Sequence, residues 1–550
     1  MSMNLADMWE AVAAEIPDAT AQIHGDVPST YRDFETRAAR LAGALRAHGV
    51  GPGTKVAMYL FNAPAWLETT FAALKLRAVP VNVNFRYLAD ELHHLLDNAD
   101  AEVLVYHGAL ADRVEAVRAR LPRLRLLVQV TTADADRVPL LAGAHAYEDL
   151  IAAHAPAPRI PRSAGDHVFL FTGGTTGLPK GVMWTHADLF KQFSAGYMAM
   201  GGEVPTTVAG VGRAARTMRE MGVAGPQIAA PPLMHGMAWF TSMSRLMTGG
   251  TVVTLANRSF DAHELWRAVE QHRVTMCVIV GDAFARPMIR ALEEAEAAGR
   301  PYDVSSLMVI VSGGVMWTPA NKKPFLARGV GMLMDGLGSS EATGIGMMIS
   351  TAGDDPTLGR FMPNPGTRVL TEEGRDVVPG SGEIGRLAVT GALPAGYYKD
   401  PEKSAATFKE IDGVRYSFPG DWARVEADGS IMLLGRGSVC INTGGEKVFP
   451  EEVEEVLKLH PDVEDAVVVG VPDDRWGEAI TAIVQPRAKA APDEAALIAF
   501  TRERLAAYKA PKRIVRVAQI VRSPAGKVDY RWAREAAQAP GAIPVADRRG

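Results

Sequence analysis

Between Val56 and Tyr106, apolar runs and amphipathic stretches alternate at a steady rhythm. This alternation restricts the fold more than any other feature of the chain. Residues 56–60 read as a strand, 64–76 as a helix, 78–82 as a strand, 87–96 as a helix beginning near Asp90-Glu91, and 101–106 as a strand. Strands separated by helices of this length predict βαβ units and a mainly parallel sheet. The rhythm returns further on. Residues 249–255 and 275–280 read as buried strands on either side of a 261–272 helix, followed by strands at 307–312 and 332–337. Residues 203–226 are rich in Gly, Ala, Arg and Thr without clear periodicity, and read as a lid-like surface loop or a structureless insertion.

The pattern changes near residue 358. Short strands at 366–370, 380–390 and 430–434 alternate with Gly/Pro turns, which predicts a small antiparallel barrel over 358–434. Pro450-Glu-Glu-Val-Glu454 starts a helix with proline and acids in its first turn, as the helix dipole favours. Strands at 466–470 and 479–484 and an amphipathic helix at 493–508 complete a small α+β domain, with a disordered tail expected from about Pro540. A chain of 550 residues exceeds one core, so the expected division is a large α/β domain, 1–435, and a smaller one, 436–550.

Composition excludes some partners. The net charge is -5 and no basic block is present, which argues against nucleic acid. The two cysteines, Cys277 and Cys440, sit in separate apolar segments without metal-ligand spacing, as suits a reducing cytoplasm. The first residues lack a basic region before an apolar core, and no apolar run approaches the roughly 20 residues of a membrane span.

The stretch Phe169-Leu-Phe-Thr-Gly-Gly-Thr-Thr-Gly-Leu-Pro-Lys-Gly-Val182 carries the strongest chemical signal. Glycines let backbone N–H groups come close to phosphate oxygens. Thr172, Thr175 and Thr176 add hydroxyls beside Gly177, and Lys180 adds a point positive charge. By its residues alone the stretch is a phosphate-holding loop or a Gly-rich hairpin turn. It is not a Walker loop, because Pro179 precedes Lys180 and Gly181 follows it. Gly313-Gly314 ends a strand, where either a flat ligand or a turn belongs. His235 stands at a strand-to-helix junction, Asp421 follows Gly420 at a strand end, and Lys527 sits in a Pro/Gly loop, where a solvated charge is the default.

The stretch resembles the phosphate loop of the adenylate-forming superfamily, which includes acyl-CoA synthetases, luciferases and adenylation domains of peptide synthetases. The family pattern is Thr-Ser-Gly-Thr-Thr-Gly-x-Pro-Lys-Gly, and Gly173 replaces its serine. Further motifs follow in the family's order over roughly residues 30 to 530. Gly338, Ser340 and Glu341 match Tyr-Gly-x-Thr-Glu, with Ser339 between them and Leu337 in place of the aromatic that stacks on adenine. Asp421 matches the ribose-binding aspartate, Arg436 the following arginine, and Lys527 the lysine of Pro-x-x-Gly-Lys. Ser438 stands at the hinge, where Asp or Lys is usual, and Asn442 where many members have Lys.

The resemblance implies ATP, Mg²⁺ and coenzyme A, with Mg²⁺ on Glu341 and Thr172, and adenine at Gly313-Gly314. It implies that Lys527 serves adenylation, that Gly444 and Gly445 serve thioester formation, and that the two domains swing about Ser438. His235, Met237 and Trp239 would line the acid pocket. Met234 to Trp239 contains no acid to hold a substrate ammonium, so an uncharged acyl tail is favoured over an amino acid. Within the superfamily the motifs look most like bacterial fatty-acid and steroid side-chain CoA ligases. The implied partner is a small carboxylic acid of medium or long chain, or of the steroid side-chain type. The rival readings are a luciferase-like oxygenase, a ligase loading a carrier protein, and a non-catalytic nucleotide-binding homologue. Similar proteins are commonly homodimers.

Overall fold

The computed structural model describes residues 3–132, 138–172, 179–315, 317–354, 359–436, 441–443, 446–473, 477–487, 490, 492–505, 507–522 and 528–538. The chain packs into two compact units. The first comprises Met1–Gly344, Ile349–Pro356 and Thr390–Ser417; the second holds Ile345–Met348, Thr357–Val389 and Phe418–Gly550.

Two sheets build the first unit. In one, Thr251–Thr254, Pro226–Ala229, Met276–Ile279, Val309–Gly313 and Met332–Leu337 lie side by side and parallel, as the alternation predicts. Their register sets Val253, Ile228, Cys277, Ile310 and Leu333 in one row. Because side chains alternate across a strand, this row shares a face. It is buried against Trp266, Met288 and Phe325 of the covering helices Ala262–Gln271, Gly281–Ala297 and Pro319–Ala327. Burying each such apolar side chain contributes about 1.5–3 kcal/mol.

The other sheet runs in the order Gly396–Tyr397, Lys180–Thr185, His167–Thr172, Val79–Asn82, Lys55–Tyr59, Ala101–His107, Leu126–Val130, Ala144–Ala146. Its first three strands are antiparallel and the rest parallel. Strand Lys180–Thr185 therefore turns straight back along His167–Thr172, the strand that precedes it.

The reading of 203–226 as an aperiodic loop is corrected. Val208–Glu220 is a helix, capped by the Thr207 side chain, which accepts from Gly210 N–H. Its buried positions are Val211, Gly212, Ala215 and Met218, so small residues hide the stripe from a hydrophobic-periodicity search. Smallness is what the packing needs, since a Cβ at Gly212 would lie 2.7 Å from the Ala11 carbonyl oxygen of helix Leu5–Glu15.

In the second unit, antiparallel strands Arg360–Pro363, Ile431–Arg436, Asp421–Val425, Ile384–Val389 and Thr367–Leu370 lie in that lateral order. A separate sheet joins Val463–Asp473, Gly477–Pro486 and Arg513–Arg516. Val467 and Val469 face Ala533 and Ala536 of helix Tyr530–Gln538, while Ala466 and Val468 face Val453 and Leu457 of helix Pro450–Lys458. The helix expected over 493–508 is shorter, Glu494–Arg502, followed by a 3₁₀ turn at Ala507–Lys509 whose lysine pairs with Glu452 at 2.6 Å. Within this unit, strand Ile431–Arg436 packs on helix Pro450–Lys458. No helix among the described residues is long and apolar enough to cross a membrane.

Gly435 holds that junction. Its φ is +111°, and a Cβ would overlap the Glu451 carboxylate. Left-handed backbone of this kind is costly for any residue with a side chain. Gly435→Ala is expected to lower unfolding stability by about 2 kcal/mol or more. An unchanged midpoint in guanidinium denaturation would show that the backbone does not need this conformation.

Candidate active site

The Gly/Thr/Lys stretch begins and ends on paired strands. Thr172 lies opposite Lys180 and Phe171 opposite Gly181. A Cβ at Gly181 would lie 2.8 Å from the Phe171 ring, which explains the glycine after the lysine. Thr175, Thr176 and Gly177 lie outside the described residues.

The loop's near end is fixed by Asn82, 5% exposed, at the end of Val79–Asn82. Its Oδ1 accepts from Phe171 N–H at 2.6 Å, and its Nδ2 donates to Phe171 O at 3.0 Å and to Met234 O at 2.7 Å. One buried amide thus joins the loop to the segment carrying His235. A second asparagine, Asn62, accepts from Leu233 N–H at 2.7 Å on the same segment.

The loop's far end is fixed by charge. Lys180 Nζ lies 2.6 Å from Asp400 Oδ2. Asp400 also caps helix Pro401–Thr407, accepting from Lys403 N–H. The Lys180 ammonium holds the Asp400 carboxyl below the usual carboxylate range. Three residues earlier, Tyr397 donates its hydroxyl to Glu341 Oε1 at 2.9 Å. The short strand Gly396–Tyr397 pairs with Lys180–Thr185, setting Tyr397 opposite Val182. It therefore carries a partner for Glu341 and leads directly to a partner for Lys180.

Glu341 sits in a tight turn. Ser339 N–H donates to Ala342 O at 2.8 Å, and Glu341 N–H donates to Ser339 Oγ at 3.2 Å. The Ser340 carbonyl accepts from the buried Trp184 indole N–H at 3.2 Å. Glu341 Oε2 makes no hydrogen bond or ion pair to a described residue. No group of three or more His, Cys, Asp or Glu suited to a metal occurs among the described residues. A cation here would rest on one carboxylate plus oxygens of substrate and water, which is how Mg²⁺ is commonly held beside phosphates.

His235 precedes helix Gly236–Met247, with its N–H donating to Pro232 O at 2.9 Å. Met237 lies beside Gly313, where a Cβ would be 3.4 Å from its sulfur and 3.1 Å from the Gly336 carbonyl oxygen. Gly314 follows at φ +86°. The structure thus brings His235, Met237, Gly313, Ser340 and Glu341 to one end of the parallel strands. Gly236 links them, since a Cβ there would be 3.8 Å from Ser340 Oγ. Trp239 is different: it is buried against Phe193 and Phe240, with ring centroids 6.3 and 5.4 Å away. The half-buried Phe240, also 5.7 Å from Trp184, stands closer to Gly236 and was not singled out by the sequence.

In the second unit, Asp421 lies directly opposite Arg436 across an antiparallel pair, with a register shift after Trp422. Gly338 lies in the first unit, where it precedes the Glu341 turn. Ser438, Gly444, Gly445 and Lys527 lie outside the described residues.

Sequence reading missed Asn62, Asn82, Tyr397 and Asp400. Only Asp400 left a signal, an Asp-Pro pair of the kind that begins a helix.

The described part of this region holds an anchored lysine, a carboxylate turn and a Gly-Gly strand end beside Met237. The chain belongs to the AMP-binding enzyme family, whose model matches residues 9–398, with the AMP-binding enzyme C-terminal domain matching 452–527. It is 41% identical over 546 residues to the 3-oxocholest-4-en-26-oate–CoA ligase of Rhodococcus rhodochrous, covering 97% of this chain and 96% of that one. It is 42% identical over 546 residues to the medium-chain acyl-CoA ligase Mig of Mycobacterium avium, covering 96% and 97%. The fold matches ATP-bound MatB from Rhodopseudomonas palustris with a TM-score of 0.80 at 23% identity, over 97% of this chain and 99% of the other.

Removing the Asn82 amide would leave Phe171 N–H and two carbonyls buried without partners. Asn82→Ala is expected to cost about 3 kcal/mol and to raise the KM for ATP, read by denaturation and steady-state kinetics. A variant as stable as wild type would mean that these backbone groups find other partners.

Proposed function

We propose that the chain is an AMP-forming acyl-CoA ligase, acting in the cytoplasm on a steroid side-chain acid or a medium- to long-chain fatty acid. The observation that carries this reading is 41% identity, across 97% of the chain, to a ligase named for 3-oxocholest-4-en-26-oate. The coincidence of Lys180, Glu341 and His235 in one unit supports it.

A carboxylate cannot acylate a thiol directly, because oxide would have to leave. In the first step a carboxylate oxygen attacks the α-phosphorus of ATP. The bond from that phosphorus to the bridging oxygen breaks, and pyrophosphate departs. Lys180 and the threonines beside it would hold the β- and γ-phosphates. Glu341, with Thr172, would hold Mg²⁺, which offsets charge on the leaving pyrophosphate. Asp421 and Arg436 would hold the ribose. Lys527 would bridge carboxylate and α-phosphate, where negative charge builds up. In the second step the small domain turns about Ser438 and the Gly444-Gly445 segment replaces Lys527. The CoA thiolate attacks the acyl carbon, the carbon–oxygen bond to AMP breaks, and the thiol proton passes to solvent. His235 would wall the site where the carboxylate meets ATP.

The test is AMP release with ATP, Mg²⁺ and CoA over acids from acetate through octanoate and palmitate to aryl acids and a steroid side-chain acid. AMP is expected only when both CoA and a long or polycyclic acid are present. Glu341→Gln is expected to lower kcat by about 10²-fold, the usual scale for losing one transition-state contact. Lys527→Ala is expected to abolish acid-dependent pyrophosphate exchange while sparing thioester formation from supplied acyl-AMP. Full exchange in that variant would remove Lys527 from the first step.

A further inference from the structure

Helix Gly236–Met247 starts at the site and leads away from it. Met237, Thr241 and Arg245 recur every four residues, so they share one face. That face looks onto the parallel sheet. Met237 lies beside Gly313, and Thr241 Oγ accepts from Gln227 Nε2 at 3.3 Å. Arg245 Nη2 reaches Met276 Sδ at 2.9 Å, and Gln227 and Met276 are register partners on adjacent strands. Met237 and Thr241 are half-buried.

Arg245 is 8% exposed. Its guanidinium meets Met276 Sδ, Met200 Sδ at 3.8 Å and the Val223 carbonyl oxygen at 3.5 Å. It has no carboxylate partner among the described residues. The other buried cations of this unit are treated differently. Lys75 lies 2.7 Å from Glu10 and 2.5 Å from Glu35, and Lys322 lies 3.2 Å from Asp335. Burial without a counter-charge pushes the Arg245 pKa down to about 10. Buried charges are ordinarily paired, because leaving one unpaired is costly. Thioethers are weak acceptors on adaptable side chains, so they yield readily to a stronger acceptor. The stem lies against the Gly250 backbone, where a Cβ would overlap Arg245 Cδ.

We propose that Arg245 is a specificity residue that reads an acceptor oxygen at the far end of the acyl tail, a ring ketone or a second carboxylate. The inference rests on the acyl-activating reading above. At about 1.5 Å per residue, Arg245 lies about 12 Å along the helix from Met237 and about 15 Å from His235. A tail seated with its carboxyl beside His235 and Gly313 brings its distal oxygen to the guanidinium after passing Thr241 and Gln227. A plain alkyl tail of that length sets a methyl group against an unpaired charge and gains nothing there.

The experiment compares kcat/KM for tetradecanoate, tetradecanedioate and a steroid side-chain acid with a ketone on its far ring. The enzymes are wild type, Arg245→Met and Arg245→Lys, each checked by thermal melting. Wild type is expected to prefer at least one oxygen-tipped acid over tetradecanoate. Arg245→Met should lower kcat/KM for that acid by about tenfold or more, leave tetradecanoate nearly unchanged and keep the KM for ATP, with Arg245→Lys between. Loss on the dicarboxylate alone assigns a charged acceptor, and loss on the ketone acid assigns a neutral one. Equal losses on all three acids, or none, overturn the proposal. If Arg245→Met does not fold, the wild-type ratios decide, and preference for tetradecanoate over both oxygen-tipped acids overturns it. Absence of acid-dependent pyrophosphate exchange with any acid in wild type refutes the acyl-activating reading itself, and this inference with it.

Discussion

The site depends on the Asn82 carboxamide. Three hydrogen bonds leave one buried side chain and end on backbone groups from two distant stretches of chain, Phe171 and Met234. A buried backbone group without a partner is expensive. An amide, with donors and an acceptor on one planar group, answers both kinds of need at once. The start of the phosphate-loop candidate and the approach to His235 are therefore fixed to each other through a third strand. Stability and site geometry here rest on the same contacts.

Much of the first unit was legible because its strands and helices announce themselves by period. The strands from Thr251 to Leu337 carry apolar residues on both faces, as suits a parallel sheet covered by helices. Val208–Glu220 was not legible, because two of its four buried positions are the small residues Gly212 and Ala215, and Gly212 is required by closeness to Ala11. Period-based reading weighs hydrophobicity and is blind to a contact made by the absence of a side chain. The limits of a packing unit are hard to read for a related reason. A change in pattern marks a change of local structure, whereas the packing unit is decided by which surfaces meet, here strand Ile431–Arg436 and helix Pro450–Lys458.

The site shows the same split. Residues proposed to meet a ligand, such as Lys180, Glu341 and Asp421, fall in recognisable motifs because their neighbours are glycines and hydroxyls. Residues that hold them in place do not. Tyr397 lies 56 residues from Glu341 and Asp400 lies 220 from Lys180, and only the short pairing of Gly396–Tyr397 with Lys180–Thr185 brings them together. Trp239, an aromatic next to a candidate histidine, packs in the core beside Phe193.

The pairing of Lys180 with Asp400 contributes to position more than to stability. The lysine side chain is 43% exposed and the aspartate 28%, so water screens most of their attraction. What the contact supplies is direction. The aspartate is already immobilised as a helix cap, and the strand before it is hydrogen-bonded to the lysine's own strand. A flexible four-carbon stem is thereby given one preferred orientation at little cost in charge. An ammonium has three donors, so one bond to Asp400 leaves two directed elsewhere. Arg245 is the inverse case, a cation buried without a carboxylate and held by weak acceptors that a better one can displace. One cation is held in place by a carboxylate, and the other is buried without one among the described residues.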